Sequence, residues 1–268
     1  MVLAAASIAS TIVACDRRAV DAPDTRVARA PPQAATSASA ATITVFVAAS
    51  TKDVIQELTD RFRKQTGAKA TVSPGPSNAL AMQIAAGAPA DLFLSASPTW
   101  AEKLRADGLA ADLSPLLTNA LVVVVALGNP AGVKSPADFA QPRVHRVALA
   151  GERVPAGAYA EQALRAARVY DGLLQHGKVI RGHDARSTLT LVERGEAEAG
   201  VVYSTDARLT PRVEIAFTFD PVTHDRILYP LVLLKRGAAN EAARRFFAYL
   251  KSAAADEVYH LYGFRRAE

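Results

Sequence analysis

Ile-Thr-Val-Phe-Val-Ala-Ala-Ser-Thr-Lys-Asp-Val-Ile-Gln-Glu-Leu, residues 43–58, carries two periodicities back to back. Ile43 to Val47 are all β-branched or aromatic, the composition of a strand. Val54, Ile55, Leu58 and Phe62 then recur at helical spacing, and Gly67 supplies a C-terminal stop. Between the two, Ala48 and Ala49 are small enough to let a ligand or a second backbone come close, and Ser50 stands where the helix should begin. A strand running into a helix leaves unpaired N–H groups and a hydroxyl off the end of a sheet, a geometry that binds anions. Ser50 is therefore either a helix N-cap or a donor to an anion, and this stretch alone supports both.

Outward from it the same alternation continues. Strands are expected over 68–73, 91–95, 121–126, 146–150, 200–203, 213–219 and 227–235. Helices are expected over 78–86, from Pro98 (capped by Ser97) to Gly108, and over 156–169, 186–194, 240–251 and 253–262. Strands alternating with helices predict an α/β protein with parallel pairing. The valine-rich run Leu121–Ala126 reads as a strand buried on both faces.

Composition narrows the function classes. With 268 residues, 50% hydrophobic and 21% charged, the chain suits one large or two small domains with real cores. The formal charge of +5 is mild and its basic residues are scattered. They form no stripe with interleaved aromatics, so nucleic acid is not an expected partner. One cysteine, Cys15, excludes an internal disulfide and a cysteine metal site, and the five histidines show no close ligand spacing.

Residues 2–14 are an apolar run too short to span a bilayer comfortably and of the length of a secretory signal core. Ile12-Val13-Ala14-Cys15 has the form of a bacterial lipoprotein cleavage box, so residues 1–15 are read as a lipoprotein-type signal with Cys15 as the lipidated residue; the alternative is an ordinary signal in which Cys15 is incidental. Residues 16–41, rich in Ala, Pro, Ser, Thr and Arg, read as a flexible linker. At about 5–6 Å × √n it would let the folded part wander roughly 30 Å from an anchor.

Four connections share one form, a strand or turn followed by small or hydroxyl residues and a helix: 48–51, 75–78, 154–157 and 183–186. A fifth segment, Val201-Val202-Tyr203-Ser204, puts a phenol at a strand end. Each alone reads equally as helix capping or packing. Together, at the carboxyl ends of strands, they would offer N–H groups, two serine hydroxyls and a phenol, donors without charge.

These residues carry a resemblance. Residues 43–50, Ala-Gly-Ala-Pro-Ala-Asp-Leu-Phe-Leu-Ser-Ala at 86–96, Asn-Ala-Leu-Val-Val-Val-Val at 119–125 and Val-Pro-Ala-Gly-Ala-Tyr-Ala at 154–160 resemble the periplasmic molybdate-binding proteins of ABC importers. So do Leu-Val-Glu-Arg-Gly-Glu-Ala at 191–197, Val-Val-Tyr at 201–203 and Tyr-Gly-Phe at 262–264, and the likeness covers about 42–268. The resemblance implies a two-lobed type II periplasmic-binding fold, each lobe a mostly parallel sheet flanked by helices, with lobe 1 at 42–120 and 222–268 and lobe 2 at 121–221. It implies no enzyme and no cofactor, but capture of molybdate, and tungstate with it, for an ABC permease in the cytoplasmic membrane. The protein would be a periplasmic or extracytoplasmic monomer, touching the membrane only through a lipid on Cys15. Matched motif by motif, the oxyanion ligands fall on the hydroxyls of Ser50 and Ser77, the N–H groups of Ala156 and Ala185, and the hydroxyl of Tyr203. Molybdenum would arrive as its oxyanion, so no residue is expected to ligate a metal. Pro74-Gly75-Pro76 is stiffer than the family's serine-rich loop, and Ala185 replaces a common valine. Lys52 is read as a solvated first-turn residue and Asp91 as a structural acid. The rivals are a binding protein or sensor of the same fold for another oxyanion such as sulfate, and a hydrolase pairing Ser50 with His183.

Overall fold

The structure, a computed structural model, describes residues 42–267. The signal and Cys15 (1–15) and the linker (16–41) lie outside the described residues.

β1 (Thr42–Ala48) leads through a single 3-10 turn, Ala49–Thr51, into α1 (Lys52–Thr66). Ile43, Val45 and Val47 share one core with Val54, Ile55, Leu58 and Phe62 of α1, while Phe46 points through the opposite face to Leu80, Ala81, Ile84 and Phe93. Side chains of this size contribute roughly 1.5–3 kcal/mol each on full burial. That stripe holds α1 in place, because its N-terminus has no side-chain cap. Gly67, left-handed at φ 75°, ends the helix with its N–H on the Arg63 carbonyl at 2.8 Å.

β2 (Lys69–Gly75), α2 (Ser77–Ala85), β3 (Leu92–Leu94), α3 (Pro98–Ala106) and β4 (Ala110–Thr118) follow. The chain then crosses to β5 (Leu121–Ala126), β6 (Val147–Ala150), α4 (Pro155–Ala166), α5 (Tyr170–Gln175), β7 (Val179–Gly182), α6 (Ala185–Glu193), β8 (Ala199–Tyr203), α7 (Ser204–Ala207) and β9 (Val213–Thr218). It returns through β10 (Leu228–Leu234), α8 (Lys235–Ala238), α9 (Glu241–Leu250), α10 (Ala253–Leu261) and β11 (Arg265–Arg266). Two sheets result, ordered β11-β4-β10-β3-β1-β2 and β7-β6-β8-β5-β9. Each carries flanking helices and makes one lobe. Among the described residues two stretches join the sheets, Asn119–Ala120 between β4 and β5 and the segment 219–227 between β9 and β10.

The α/β class and the two lobes are as expected, but the sheets are mixed and not mostly parallel. β2, β1 and β3 are parallel in the first sheet, as are β7, β6 and β8 in the second; β4, β5, β9, β10 and β11 pair antiparallel. The crossover strands β5 and β10, each entering its sheet from the other lobe, run against the βαβ strands, and β4 and β9 pair antiparallel with them. The valine run of β5 illustrates the point: Leu121 to Val125 are buried on both faces, yet both partners of β5, β8 and β9, are antiparallel. A continuous apolar run reports two-sided burial and not strand direction.

The N-cap reading of Ser50 is also corrected. Ser50 lies inside the 3-10 turn; Thr51 holds the cap position and sends its hydroxyl back to the Ala48 carbonyl at 2.8 Å. Ser97, in contrast, does cap α3, accepting from Thr99 N–H at 3.3 Å with Pro98 at the first helical position.

Candidate functional site

The parallel strands do the positioning. Three in each lobe, β1, β2 and β3 against β6, β7 and β8, end around one cavity. Ser50 follows β1, Ser77 follows β2 and Ala96 follows β3. Ala156 lies beyond β6, Ala185 beyond β7, and Tyr203 closes β8. The cavity between them measures about 10 Å³ as traced by the centre of a water-sized sphere, about the room one water needs. All five residues expected as ligands line it, together with Ala48, Ala49, Gly75, Pro76, Val154, Pro155 and Asp184. The small pair Ala48-Ala49 provides the clearance read from the sequence, and the Pro74-Gly75-Pro76 segment continues β2 as regular strand through Gly75.

Each donor is set by its local structure. Ser77 opens α2 and its Oγ accepts the Ala96 N–H at 2.9 Å. Ala156 and Ala185 lie in the first turns of α4 and α6, where N–H groups have no intrahelical carbonyl to meet. Pro155 starts α4 without removing a needed donor, and Asp184 starts α6 through a reciprocal capping box with Ser187. That box uses Asp184, the one charged residue lining the cavity: its Oδ1 accepts from Ser187 N–H at 2.8 Å and from Ser187 Oγ at 3.1 Å. The Tyr203 phenol is fully buried and its oxygen has no hydrogen-bond partner. Burial pushes its pKa well above the ordinary tyrosine value, so it remains a neutral donor. A set of neutral donors such as these can hold a small anion by hydrogen bonds.

Glycines fix the second lobe's contribution. A Cβ on Gly157 would stand 2.2 Å from the Gly151 carbonyl oxygen and 2.5 Å from that of Ala150, so the first turn of α4 rests directly on the end of β6. A Cβ on Gly182 would meet Thr188 N at 2.7 Å, which seats α6 against β7 in the same way.

Four polar residues behind the cavity were not singled out from the sequence. Tyr229, on β10, is fully buried with its hydroxyl 3.3 Å from Ser50 Oγ. Asn119, in the first connection between the sheets, reaches both Tyr229 and Thr205. Arg186, next to Ala185, joins the lobes: its Nη2 donates to Asp53 Oδ2 at 2.7 Å and to the Ser50 carbonyl at 3.4 Å, and its Nε stands 2.9 Å from Asp206 Oδ1. The Nε–Asp206 approach meets the ion-pair distance but not hydrogen-bond geometry. Burial pushes the Asp206 carboxyl up to about 6 against the pull of Arg186. Asn119 had a visible signal, a polar residue leading directly into the valine strand. Tyr229 had none, since a tyrosine in a strand reads as core. Asp91 is structural as expected, buried and accepting Thr44 N–H at 2.8 Å.

Residues 43–265 match the family described as bacterial extracellular solute-binding protein. The chain belongs to the bacterial extracellular solute-binding proteins. It is similar to the molybdate-binding protein ModA of Escherichia coli, 36% identical over 230 residues, covering 83% of this chain and 88% of that one. It is similar to ModA of Haemophilus influenzae at 37% over 234 residues, covering 85% and 91%. Among solved structures, the periplasmic molybdate-binding protein of Azotobacter vinelandii superposes with a TM-score of 0.77, covering 84% of this chain and all of that one at 21% identity, a likeness of fold. Ser50 Oγ meets the Tyr229 phenol and, among the described residues, makes no hydrogen bond to His183. No helix of the described residues is long and apolar enough to cross a membrane, and no cluster of metal-ligating side chains occurs among them.

Proposed function

We propose that this solute-binding protein captures molybdate, and tungstate with it, for an ABC importer. The observation that carries the reading is the convergence of five neutral donor groups, at Ser50, Ser77, Ala156, Ala185 and Tyr203, on one compact cavity between the lobes. Five charge-assisted hydrogen bonds at roughly 1.5–3 kcal/mol each sum to roughly 7.5–15 kcal/mol, which reaches the about 8 kcal/mol of a micromolar complex and leaves a margin for desolvation and ordering in the upper part of that range. The identities to the molybdate-binding relatives support the choice of anion.

In this reading, 42–120 with 222–268 and 121–221 move as two lobes about their two connections. The anion binds one lobe, and the other supplies the remaining donors on closure, shifting the population as far as the anion prefers the closed state. Sulfate and phosphate are smaller and are selected against by cavity size; hydrogen phosphate also lacks an acceptor for its proton. The closed monomer docks on a permease outside the cytoplasm, tethered through a lipid on Cys15.

Calorimetric titration of the purified protein with molybdate, tungstate, sulfate and phosphate tests this. Micromolar or tighter binding of molybdate and tungstate with weak sulfate is expected. Absence of molybdate heat and of a thermal shift overturns the reading, and tighter sulfate binding would assign the site to a different oxyanion.

A further inference from the structure

Behind Ser50 lies a partly buried chain of hydrogen bonds whose donor directions are fixed at its far end. The Asn119 amide is the fixed point. Ala120 N–H, which can only donate, reaches Asn119 Oδ1 at 2.9 Å, and Ser204 Oγ donates to the same oxygen at 2.8 Å. The amide nitrogen therefore faces the other way, where it donates to Thr205 Oγ1 at 2.9 Å and to the Tyr229 hydroxyl oxygen at 3.3 Å. With that oxygen accepting from Asn119, the phenol's own hydrogen is available to Ser50 Oγ, 3.3 Å away, a contact in which either oxygen can be the donor. With the phenol as donor, Ser50 Oγ accepts, and its own hydrogen is free for the cavity that Ser50 lines.

Ser77 is arranged in parallel by a different group. Its Oγ accepts the Ala96 N–H at 2.9 Å, so its hydrogen is likewise free for the cavity. In one lobe, then, two serine hydroxyls each have a polar partner behind them, a backbone N–H for Ser77 and a side-chain phenol for Ser50. The Tyr229 ring is itself held edge-on between Tyr203, at 5.7 Å between centroids, and Phe264, at 5.6 Å.

We propose that Tyr229, with Asn119 behind it, is a positioning residue that donates to Ser50 Oγ and thereby commits the Ser50 hydroxyl hydrogen to the bound anion. The inference rests on the oxyanion reading of the site and deepens it. A serine hydroxyl left to itself can donate or accept; one that already accepts from a buried phenol presents the cavity with a donor. Hydrogen phosphate, whose remaining proton needs an acceptor, is then disfavoured at Ser50 by hydrogen-bond direction as well as by size.

A double-mutant cycle tests it, with molybdate affinity as the readout for the wild type, Ser50→Ala, Tyr229→Phe and the double variant. Ser50→Ala should weaken binding about 10- to 100-fold and Tyr229→Phe about 5- to 10-fold, while the double variant should bind within about twofold of Ser50→Ala, because the phenol acts only through that hydroxyl. Tyr229→Phe should also raise competition by hydrogen phosphate relative to sulfate, since Ser50 regains the freedom to accept. A merely structural tyrosine would instead give multiplying losses and an unchanged phosphate-to-sulfate ratio, and that result overturns the proposal. So does wild-type affinity in Tyr229→Phe while Ser50→Ala is weakened, which leaves the oxyanion reading standing. A wild type that binds no molybdate overturns both. Should Tyr229→Phe fail to fold, Asn119→Ser removes the donor behind the phenol and is read in the same cycle.

Discussion

Replacing Gly157 by alanine should separate stability from binding in a way few substitutions can. The added methyl carbon would lie 2.2 Å from the Gly151 carbonyl oxygen and 2.5 Å from that of Ala150, and both obstacles are backbone. Carbon–oxygen contacts settle at about 3.3–3.6 Å, so the first turn of α4 must withdraw by roughly 1 Å. Overpacking of this kind costs about 1–3 kcal/mol, which at roughly 2–4 °C per kcal/mol for a folded unit of this size lowers Tm by about 2–12 °C. The same withdrawal carries the neighbouring Ala156 N–H with it. A hydrogen bond lengthened by about 1 Å beyond roughly 2.9 Å is lost. To a charged acceptor that is about 1.5–3 kcal/mol, or roughly 10- to 150-fold in Kd. Gly237 provides the matched control: its Cβ would stand 2.2 Å from the Asp91 carbonyl oxygen, at the opposite end of β3 from Ala96. Gly237→Ala should melt lower by a similar amount and bind molybdate as the wild type does. Melting curves and calorimetric titrations of the two variants decide the matter. If Gly157→Ala binds as tightly as Gly237→Ala while both melt low, the N-terminus of α4 supplies no donor and the reasoning fails.

Three further outcomes are expected. Tyr203→Phe removes a buried phenol that has no partner in the protein and should weaken molybdate binding about 10- to 150-fold in calorimetry; unchanged affinity would take Tyr203 out of the site. Asp53→Asn breaks the tie between Arg186 and the first lobe. Because both side chains are partly exposed, at 27% and 39%, the equilibrium loss should stay under about 1 kcal/mol and appear as faster ligand release in stopped-flow; an unaltered release rate would count against a closing role for this pair. Asp206 has its carboxyl raised by burial to about 6, above the 3.8 of a free carboxyl, so the folded state holds a proton that the unfolded state gives up between those values. Its contribution is fullest below that window and declines as pH rises through it. The Tm of the wild type relative to Asp206→Asn should therefore fall between about pH 4 and pH 6, and a difference independent of pH would refute the shift.

Much of this was legible in the sequence because the βαβ units are locally encoded. A β-branched run, a small-residue turn and an amphipathic stripe sit next to one another at 43–62, and the structure puts them where that order requires. What local pattern could not supply was the pairing of the crossover strands. β4 has exposed residues and Pro115 in its middle, and its partners β10 and β11 lie more than a hundred residues away. The loops lining the cavity were legible as a set, since each has the same strand-to-helix form. The groups behind them were not. Tyr229 and Arg186 act through partners 179 and 133 residues distant in the chain, and neither a tyrosine in a strand nor an arginine in a first turn announces a partner. At Ser50 the stretch supported both a cap and an anion donor; the structure puts Thr51 at the cap position and leaves the Ser50 hydroxyl facing Tyr229.

In the proposed site Ala156 and Ala185 serve through main-chain N–H groups, and every amino acid except proline has an N–H there to offer. Side-chain identity at these two positions is thus constrained by room, with only 1% and 4% of each residue exposed, and not by chemistry. A saturation library should tolerate serine or glycine at both and reject bulk and proline. At Ser50, Ser77 and Tyr203 it should demand the hydroxyl. Part of this site is inherited as helix placement, which substitution can leave untouched while the letters change, so a residue-by-residue comparison of distant relatives would undercount what they share.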